Sequence, residues 1–533
     1  MLNKFKAPFF AIAILTAGII LGMLYQKISS GQGIQGSLNK FEQILSFTDK
    51  YYVDKIDSRK LLDAAINGML DSLDPHSVYI PKKQMENIEE QFRGNFEGIG
   101  IEFQVINDTI TVVSPITGGP SEALGILAGD RIVKINDKPS IGITIEQVRN
   151  KLRGPSGTKV TITIYRPGVN GTNDYIITRD KIPLYSVDAC FMYDKETGYI
   201  SVSRFAETTT DEIISALGEL SKKGMKKLVL DLRNNPGGYM QQAVQIADLF
   251  LSGDKMIVYT KSRNSEFNEE LHASKTYPYE KTPLIVLVNS GSASASEIVA
   301  GAIQDWDRGL IIGETTFGKG LVQKQFMLAD NSALRLTISR YYTPSGRLIQ
   351  RDYKNKKAYY TNIDTRTESD MLNFEHNIEK DSTKPVFMTK GGRKVYGGGG
   401  IMPDYFVSSS KLTDYFVSLR RFNLFYLFIL KYMDINGDVV KRKFADHPDD
   451  FNNKFNLSKK EIHDFIKFAT NKKVNPGRND LKKDKDYIRM QLKAYIARDI
   501  WKSEGWYKTL LEIDNQFQQA VKEFSKAEKI AEQ

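Results

Sequence analysis

The chain has 533 residues, enough for three or four domains, and is 41% hydrophobic and 26% charged, the composition of a globular protein rather than a disordered or fibrous one. Its formal charge is +10, but 64 acidic residues are interspersed with 74 basic ones and no nucleic-acid motif accompanies them. That pattern points to a solvated surface and excludes an RNA- or DNA-binding footprint as the first reading.

At the N-terminus, Lys4 and Lys6 precede residues 7–25, APFFAIAILTAGIILGMLY, a run of 19 residues without a charge. Such a run can span a bilayer as a helix, and the lysines favour a cytoplasmic N-terminus. The following QKISSGQG offers no clear small-x-small cleavage site and no cysteine to lipidate. A retained membrane anchor over residues 1–28 is therefore expected, with a cleaved signal peptide as the alternative. Either way the remaining chain is expected to lie outside the cytoplasmic membrane, in the cell envelope.

Residues 29–37 read as a Gly/Ser/Gln linker, and residues 38–93 as a small helical domain. Phe41, Ile44, Leu45 and Phe47 begin one apolar pattern there, and Leu61, Leu62, Ile66 and Leu70 continue another. Over residues 94–177 the texture changes to short strands and turns. IEFQVI and ITVVSPI suggest a hairpin across Asn107-Asp108, followed by a helix-like SEALGI, RIVKIND, a helix over residues 144–152, and KVTITIYRPG. Residues 178–408 alternate between strands and helices, an α/β core with a mixed or antiparallel portion. Its single cysteine, Cys190, rules out an intrachain disulfide and reads as a small buried apolar residue. From 409 to 533 the chain is Lys/Asp/Asn-rich and helical. Ile488, Leu492, Tyr495 and Ile496 share one face, as do Leu510, Ile513, Phe517, Val521 and Phe524.

The chemistry concentrates at GSASASEI, residues 291–298, directly after the apolar run PLIVLVNS. Three serines alternate with alanines where a strand stops and a helix begins. A serine hydroxyl becomes a nucleophile only when a neighbouring base takes its proton. The five histidines, His76, His272, His376, His447 and His463, sit in no strand-end loop with a carboxylate partner, and no G-x-S-x-G elbow is present. Lysine is the other base, provided that its surroundings keep it neutral. Lys319 in TTFGKGLVQ and Lys324 are the core-loop candidates. Oxyanion donors are available where turns open helices: at Ala295, with Ser294 and Glu297 in capping-box spacing, and at the Gly-Gly turn of DLRNNPGGYM. These two turns leave what read as neighbouring strands of one sheet.

DLRNNPGG, GSASASEIVAGAI, GETTFGKGLVQ, YYTPSGRLIQ and GGIMPD, in this order and spacing, resemble the carboxyl-terminal processing peptidases, or tail-specific proteases. LDPHSVYIP at residues 73–81 is similar to the N-terminal domain of that family, and the resemblance runs from about residue 40 to 408. It implies a mixed α/β peptidase core with an inserted PDZ domain, an N-terminal helical domain and a C-terminal helical extension.

For the site, the resemblance implies Ser294 as nucleophile, Lys319 as base and Gln323, one helical-turn spacing beyond the lysine, as its orienting partner. It implies oxyanion donors at Gly237, with Gly238 as alternate, and Ala295, leaving Ser292 and Ser296 as scaffold. The texture of residues 94–177 then reads as the PDZ domain. EGIGIEF resembles its carboxylate-binding loop, with Gly98, Ile99, Gly100 and Ile101 as candidates to hold a peptide's C-terminus. The implied activity is a serine endopeptidase acting on proteins or peptides with free C-terminal tails. It needs no metal or organic cofactor and no nucleic acid, and a homo-oligomer is compatible with it. The rival from another class is a PDZ-anchored binding protein with an inactive core, and the intact serine, lysine, glutamine and glycines argue against it. A Ser/Lys hydrolase of small amides is a third reading, disfavoured because such substrates have no tail for the PDZ domain to bind.

Overall fold

The strand Leu284–Val288 reads LIVLV, apolar at every position, as a strand buried on both faces must be. In the computed structural model, which describes residues 32–355 and 384–532 with the isolated positions 16, 18 and 359, it lies inside a six-stranded sheet. The order across that sheet is Val187–Met192, Thr197–Val202, Lys227–Asp231, Leu284–Val288, Leu310–Gly313 and Tyr405–Phe406. The first pair is antiparallel and all others are parallel, with Leu228 opposite Leu284 and Ile285 opposite Leu310. Helices Thr209–Lys222, Met240–Asp248 and Ala295–Asp305 bury Leu217, Ile246 and Val299 in one core with Leu230 and Val286 of the sheet. The last helix, Asn515–Ala531, buries Phe517 and Phe524 in a second core with Tyr199, Val229 and Ile285. A further antiparallel sheet pairs Met256–Lys261, Glu270–His272, Leu321–Met327 and Ala333–Tyr342.

Ile101–Ile106 and Thr109–Pro115 form the expected hairpin, with Asn107 and Asp108 at φ 47° and 61°. Two successive positive φ values give a turn whose twist matches the strands, and Asn and Asp tolerate them. Strands Arg131–Ile135, Lys159–Tyr165 and Asn173–Thr178 extend this sheet, and helix Ile145–Leu152 closes its core through Val148 and Leu152. Thr144 and Gln147 form a capping box that starts the helix.

The C-terminal helices have their own core around Phe425, Phe465 and Leu492. They touch both preceding regions. Arg498 pairs with Glu102 at 2.7 Å and Asp434 with Arg131 at 2.9 Å, while Asp514 pairs with Arg233 at 2.7 Å.

Two details differ from the sequence reading, and a third goes beyond it. The presumed linker is helical from Gln32 onward, in the helix Gln32–Tyr51. Leu510, Ile513 and Phe517 do not share one helix, because Leu511–Ile513 is a 3-10 turn and Asp514 caps a new helix. The long helix Asp480–Leu510 is itself broken at Trp501 and Lys502, the latter at φ 56°.

By internal contacts the chain divides into Met1–Tyr79 and Ile80–Gln533. In the first unit, Asp57 caps the helix Ser58–Asp71 by accepting from Arg59 and Lys60. The LDPHS motif is a tight turn in which the Asp74 carboxylate accepts from the N–H groups of His76 and Ser77. Phe41, Ile44 and Phe47, read as an apolar pattern of helical spacing, lie on the helix Gln32–Tyr51 and are 39%, 54% and 60% exposed. Residues 7–25, the expected anchor, lie outside the described residues apart from Thr16 and Gly18. Among the described residues no helix is long and apolar enough to cross a membrane.

Phe517 is fully buried, with its ring 4.6 Å from Tyr193 and 5.6 Å from Tyr199. Phe517→Ala should destabilise the peptidase core by ~3–5 kcal/mol, read from the urea midpoint of the full chain. A change below ~1 kcal/mol would show that the last helix is not part of that core.

Candidate active site

Neighbouring parallel strands deliver their following turns to the same edge of a sheet. Lys227–Asp231 and Leu284–Val288 are such neighbours, and the turns after them, NNPGG and NSGSAS, meet. They are stitched together by side chains the sequence treats as mere turn formers. Asn289 and Asn234 exchange hydrogen bonds at 2.8 and 3.0 Å. Ser292 Oγ donates to Leu232 O at 2.8 Å and Ser296 Oγ to Asn235 O at 2.9 Å. The approach is so close that a Cβ on Gly237, at φ 97°, would lie 2.9 Å from both Ser294 Cβ and Ala295 N. Gly238 is equally obligate: a Cβ there would stand 2.1 Å from Phe205 O.

The three serines now separate by environment. Ser292 and Ser296 are fully buried and their hydroxyls are used on backbone carbonyls. Ser294 is half-buried, stands as the N-cap of helix Ala295–Asp305 at φ 55°, ψ −111°, and lines a cavity of about 790 Å³. A non-glycine residue at positive φ costs of order 1–3 kcal/mol, and such strain collects where a side chain must be aimed. Lys319, Gln323, Gly237 and Gly238 line the same cavity, and no histidine among the described residues does so.

What ties the serine turn to the lysine loop is Glu297, whose side chain is fully buried. Its Oε2 accepts from Ser294 N at 2.8 Å and Lys319 N at 2.9 Å. Its Oε1 accepts from Thr316 Oγ1 at 2.5 Å and Gly318 N at 2.7 Å. Burial pushes the carboxyl above the usual range, and these hydrogen bonds oppose that shift. The loop is held on its other side by Gln350, whose Oε1 accepts from Gly320 N at 2.8 Å.

The oxyanion candidates are not equivalent. Gly237 N–H is already donated to Asn235 Oδ1 at 2.9 Å. The N–H groups of Gly238 and of Ala295, the first residue of its helix, have no acceptor among the described residues. Gln323 also departs from expectation. Leu321–Met327 is a strand, so four residues beyond Lys319 is not one helical turn, and Gln323 Nε2 donates to Thr337 Oγ1 at 3.4 Å.

In the 98–101 loop, Gly98, Ile99 and Gly100 are buried and Gly100 adopts φ 75°. The Ile99 carbonyl accepts from Ser121 and the Gly100 carbonyl from Ile116. The N–H groups of Ile99 and Gly100 have no acceptor among the described residues, the condition for receiving a carboxylate, and Ile101 opens the edge strand Ile101–Ile106 beside them.

The sequence matches peptidase family S41 over residues 196–355, a PDZ domain over 111–166 and the N-terminal domain of the activating protease CtpB over 15–84. A family of unknown function matches residues 415–502. A carboxy-terminal-processing protease of Bartonella bacilliformis is 40% identical over 350 residues, covering 65% of this chain and 80% of that one. The chain belongs to the carboxy-terminal processing proteases. The processing protease CtpA of Bacillus subtilis is also 40% identical, over 62% of this chain and 70% of that one. A solved photosystem II D1 C-terminal processing protease is 31% identical over 58% of this chain and 89% of that chain, with a TM-score of 0.33.

This peptidase is thus a serine-type enzyme with a PDZ domain, and its cavity is lined by the serine turn, the Gly-Gly turn and the lysine loop. Sequence reasoning gave Glu297 only a capping role and passed over Asn235 and Tyr341. The buried position of an acidic residue three places after Ser294 had no local signal, since capping boxes are usually exposed.

Glu297→Gln puts an NH2 group against two of the four donors. We expect kcat to fall ~10²-fold or more, since misplacement by about 1 Å costs that much. Hydrolysis of an unfolded substrate by the Gln variant at the wild-type kcat would contradict the tie.

Proposed function

We propose that this protease cuts exported proteins near their C-termini with Ser294 as nucleophile and Lys319 as general base. What supports the reading is one arrangement: both residues face one cavity, tied through Glu297, beside the idle N–H groups of Gly238 and Ala295. Neutral Lys319 takes the proton from Ser294 Oγ as the oxygen attacks the scissile carbonyl. The oxyanion is met by the Ala295 N–H and by the Gly-Gly turn. There the donor is Gly238, because Gly237 gives its proton to Asn235, or Gly237 once that bond is exchanged. The amine leaves with the proton, and water hydrolyses the acyl-enzyme. Gln323, on the strand that leaves the lysine loop, reaches the same space as a polar neighbour of the amine.

The substrate's tail binds at the 98–101 loop, its carboxylate received by N–H groups and its chain added to the edge strand Ile101–Ile106. The lysine-flanked apolar run at residues 7–25 anchors the enzyme to the cytoplasmic membrane with the catalytic domains outside.

Ser294→Ala and Lys319→Ala should each lower cleavage of an unfolded protein with an apolar C-terminal tail by ~10³-fold or more, with unchanged circular dichroism. Wild-type turnover by the Lys319 variant would refute the dyad. Amidating the tail removes the charged acceptor and should raise KM by ~10-fold or more while kcat holds. An unchanged KM would remove the 98–101 loop from tail recognition.

A further inference from the structure

The two residues of the proposed dyad are gripped at both ends of their backbone by the same pair of side chains. Glu297 takes the N–H groups of Ser294 and Lys319. Their carbonyl groups meet one phenol: Tyr341 Oη donates to Lys319 O at 2.6 Å and lies 3.1 Å from Ser294 O. A hydroxyl has a single proton to donate. The Ser294 carbonyl already accepts from the N–H groups of Glu297 and Ile298 as its helix begins, at 2.9 and 3.0 Å. The proton therefore goes chiefly to Lys319, along the shorter contact, while the same oxygen sets the spacing to the serine turn.

The mounting of this phenol suits the task. Tyr341 is 1% exposed and its ring packs in the main core. It belongs to the strand Ala333–Tyr342, and its own N–H donates to Gly320 O at 3.0 Å, one residue past the lysine. The loop it grips is flanked by Gly318, at φ 88°, and Gly320, residues that impose little conformational restraint of their own. Burial, with the Glu297 charge beside it, raises the phenol well above its ordinary range, so the hydroxyl stays a donor.

We propose that Tyr341 is a positioning residue of this protease, its hydroxyl fixing the lysine loop against the serine turn so that amine and hydroxyl meet in the cavity. The inference rests on the Ser294/Lys319 reading. Tyr341→Phe in the full chain deletes one oxygen and keeps the ring. We expect kcat to fall ~10–100-fold with KM within about twofold, as for a displacement below ~1 Å. The acid limb of the kcat–pH profile should move to higher pH, because a loosened loop lets the lysine be solvated as its ammonium form. A purely structural role would lower the melting temperature without moving that limb.

A second variant separates hydroxyl from packing. Tyr341→Ala opens a ring-sized cavity of the kind that binds small aromatics. Added phenol should restore turnover, whereas benzene should restore only the melting temperature. Full activity of the Phe variant, an unmoved acid limb, or equal rescue by benzene overturns the proposal. Activity surviving in Ser294→Ala or Lys319→Ala would instead overturn the dyad itself, whatever Tyr341→Phe does.

Discussion

The active-site region depends on one buried carboxylate. Glu297 is shut off from solvent, and an unpaired charge there would cost several kcal/mol. Each hydrogen bond to a charged group returns about 1.5–3 kcal/mol, so only the full set of four donors makes the burial tolerable. Those donors come from two segments, Ser294 on one side and Thr316, Gly318 and Lys319 on the other. The carboxylate is satisfied only when both segments are in place. Withdrawing either segment takes donors away from a buried carboxyl, which couples the serine turn to the lysine loop.

That coupling needs a frame that brings the segments near each other without strain in the sheet. Parallel pairing of Lys227–Asp231, Leu284–Val288 and Leu310–Gly313 sends three successive turns to one edge. Small residues then decide how close those turns come. Gly237 and Gly238 admit backbone where any Cβ would collide, and the hydroxyls of Ser292 and Ser296 replace water on Leu232 O and Asn235 O. The strain concentrated at Ser294, with φ 55°, is supported on both flanks by these bonds.

Much of this was legible in the sequence, for physical reasons. Strands apolar on both faces, such as LIVLV, announce a covered sheet, and Asn107-Asp108 announces a hairpin because few residue pairs accept two positive φ values. The grouping of Ser294 with Lys319 comes only as what the resemblance implies, since local chemistry leaves three serines and two lysines open; the two residues line one cavity. What was not legible depends on tertiary placement. Gln323 looked like a helical neighbour of Lys319 because spacing alone does not say whether the chain between them is helix or strand. Tyr341 lies in an alternating strand, LRLTISRYY, where an inward tyrosine is indistinguishable from ordinary core. Asn235 took the Gly237 N–H through a side-chain rotamer, which no pattern encodes.

The C-terminal helices show how differently one module can be joined to two neighbours. Against the peptidase sheet it places fully buried aromatic rings, Phe517 and Phe524, worth a few kcal/mol each. Against the PDZ domain it places ion pairs that are about one-third to one-half exposed, Arg498–Glu102 and Lys502–Glu122, and the pair Arg131–Asp434. Pairs of that exposure contribute about 0–1 kcal/mol and weaken with salt. The seam is also loosely filled, with a cavity of about 180 Å³ between Thr109, Arg131, Leu427 and Phe468. The C-terminal helices are therefore held chiefly through the peptidase sheet, where their aromatic rings are buried, and the ion pairs to the PDZ domain add little.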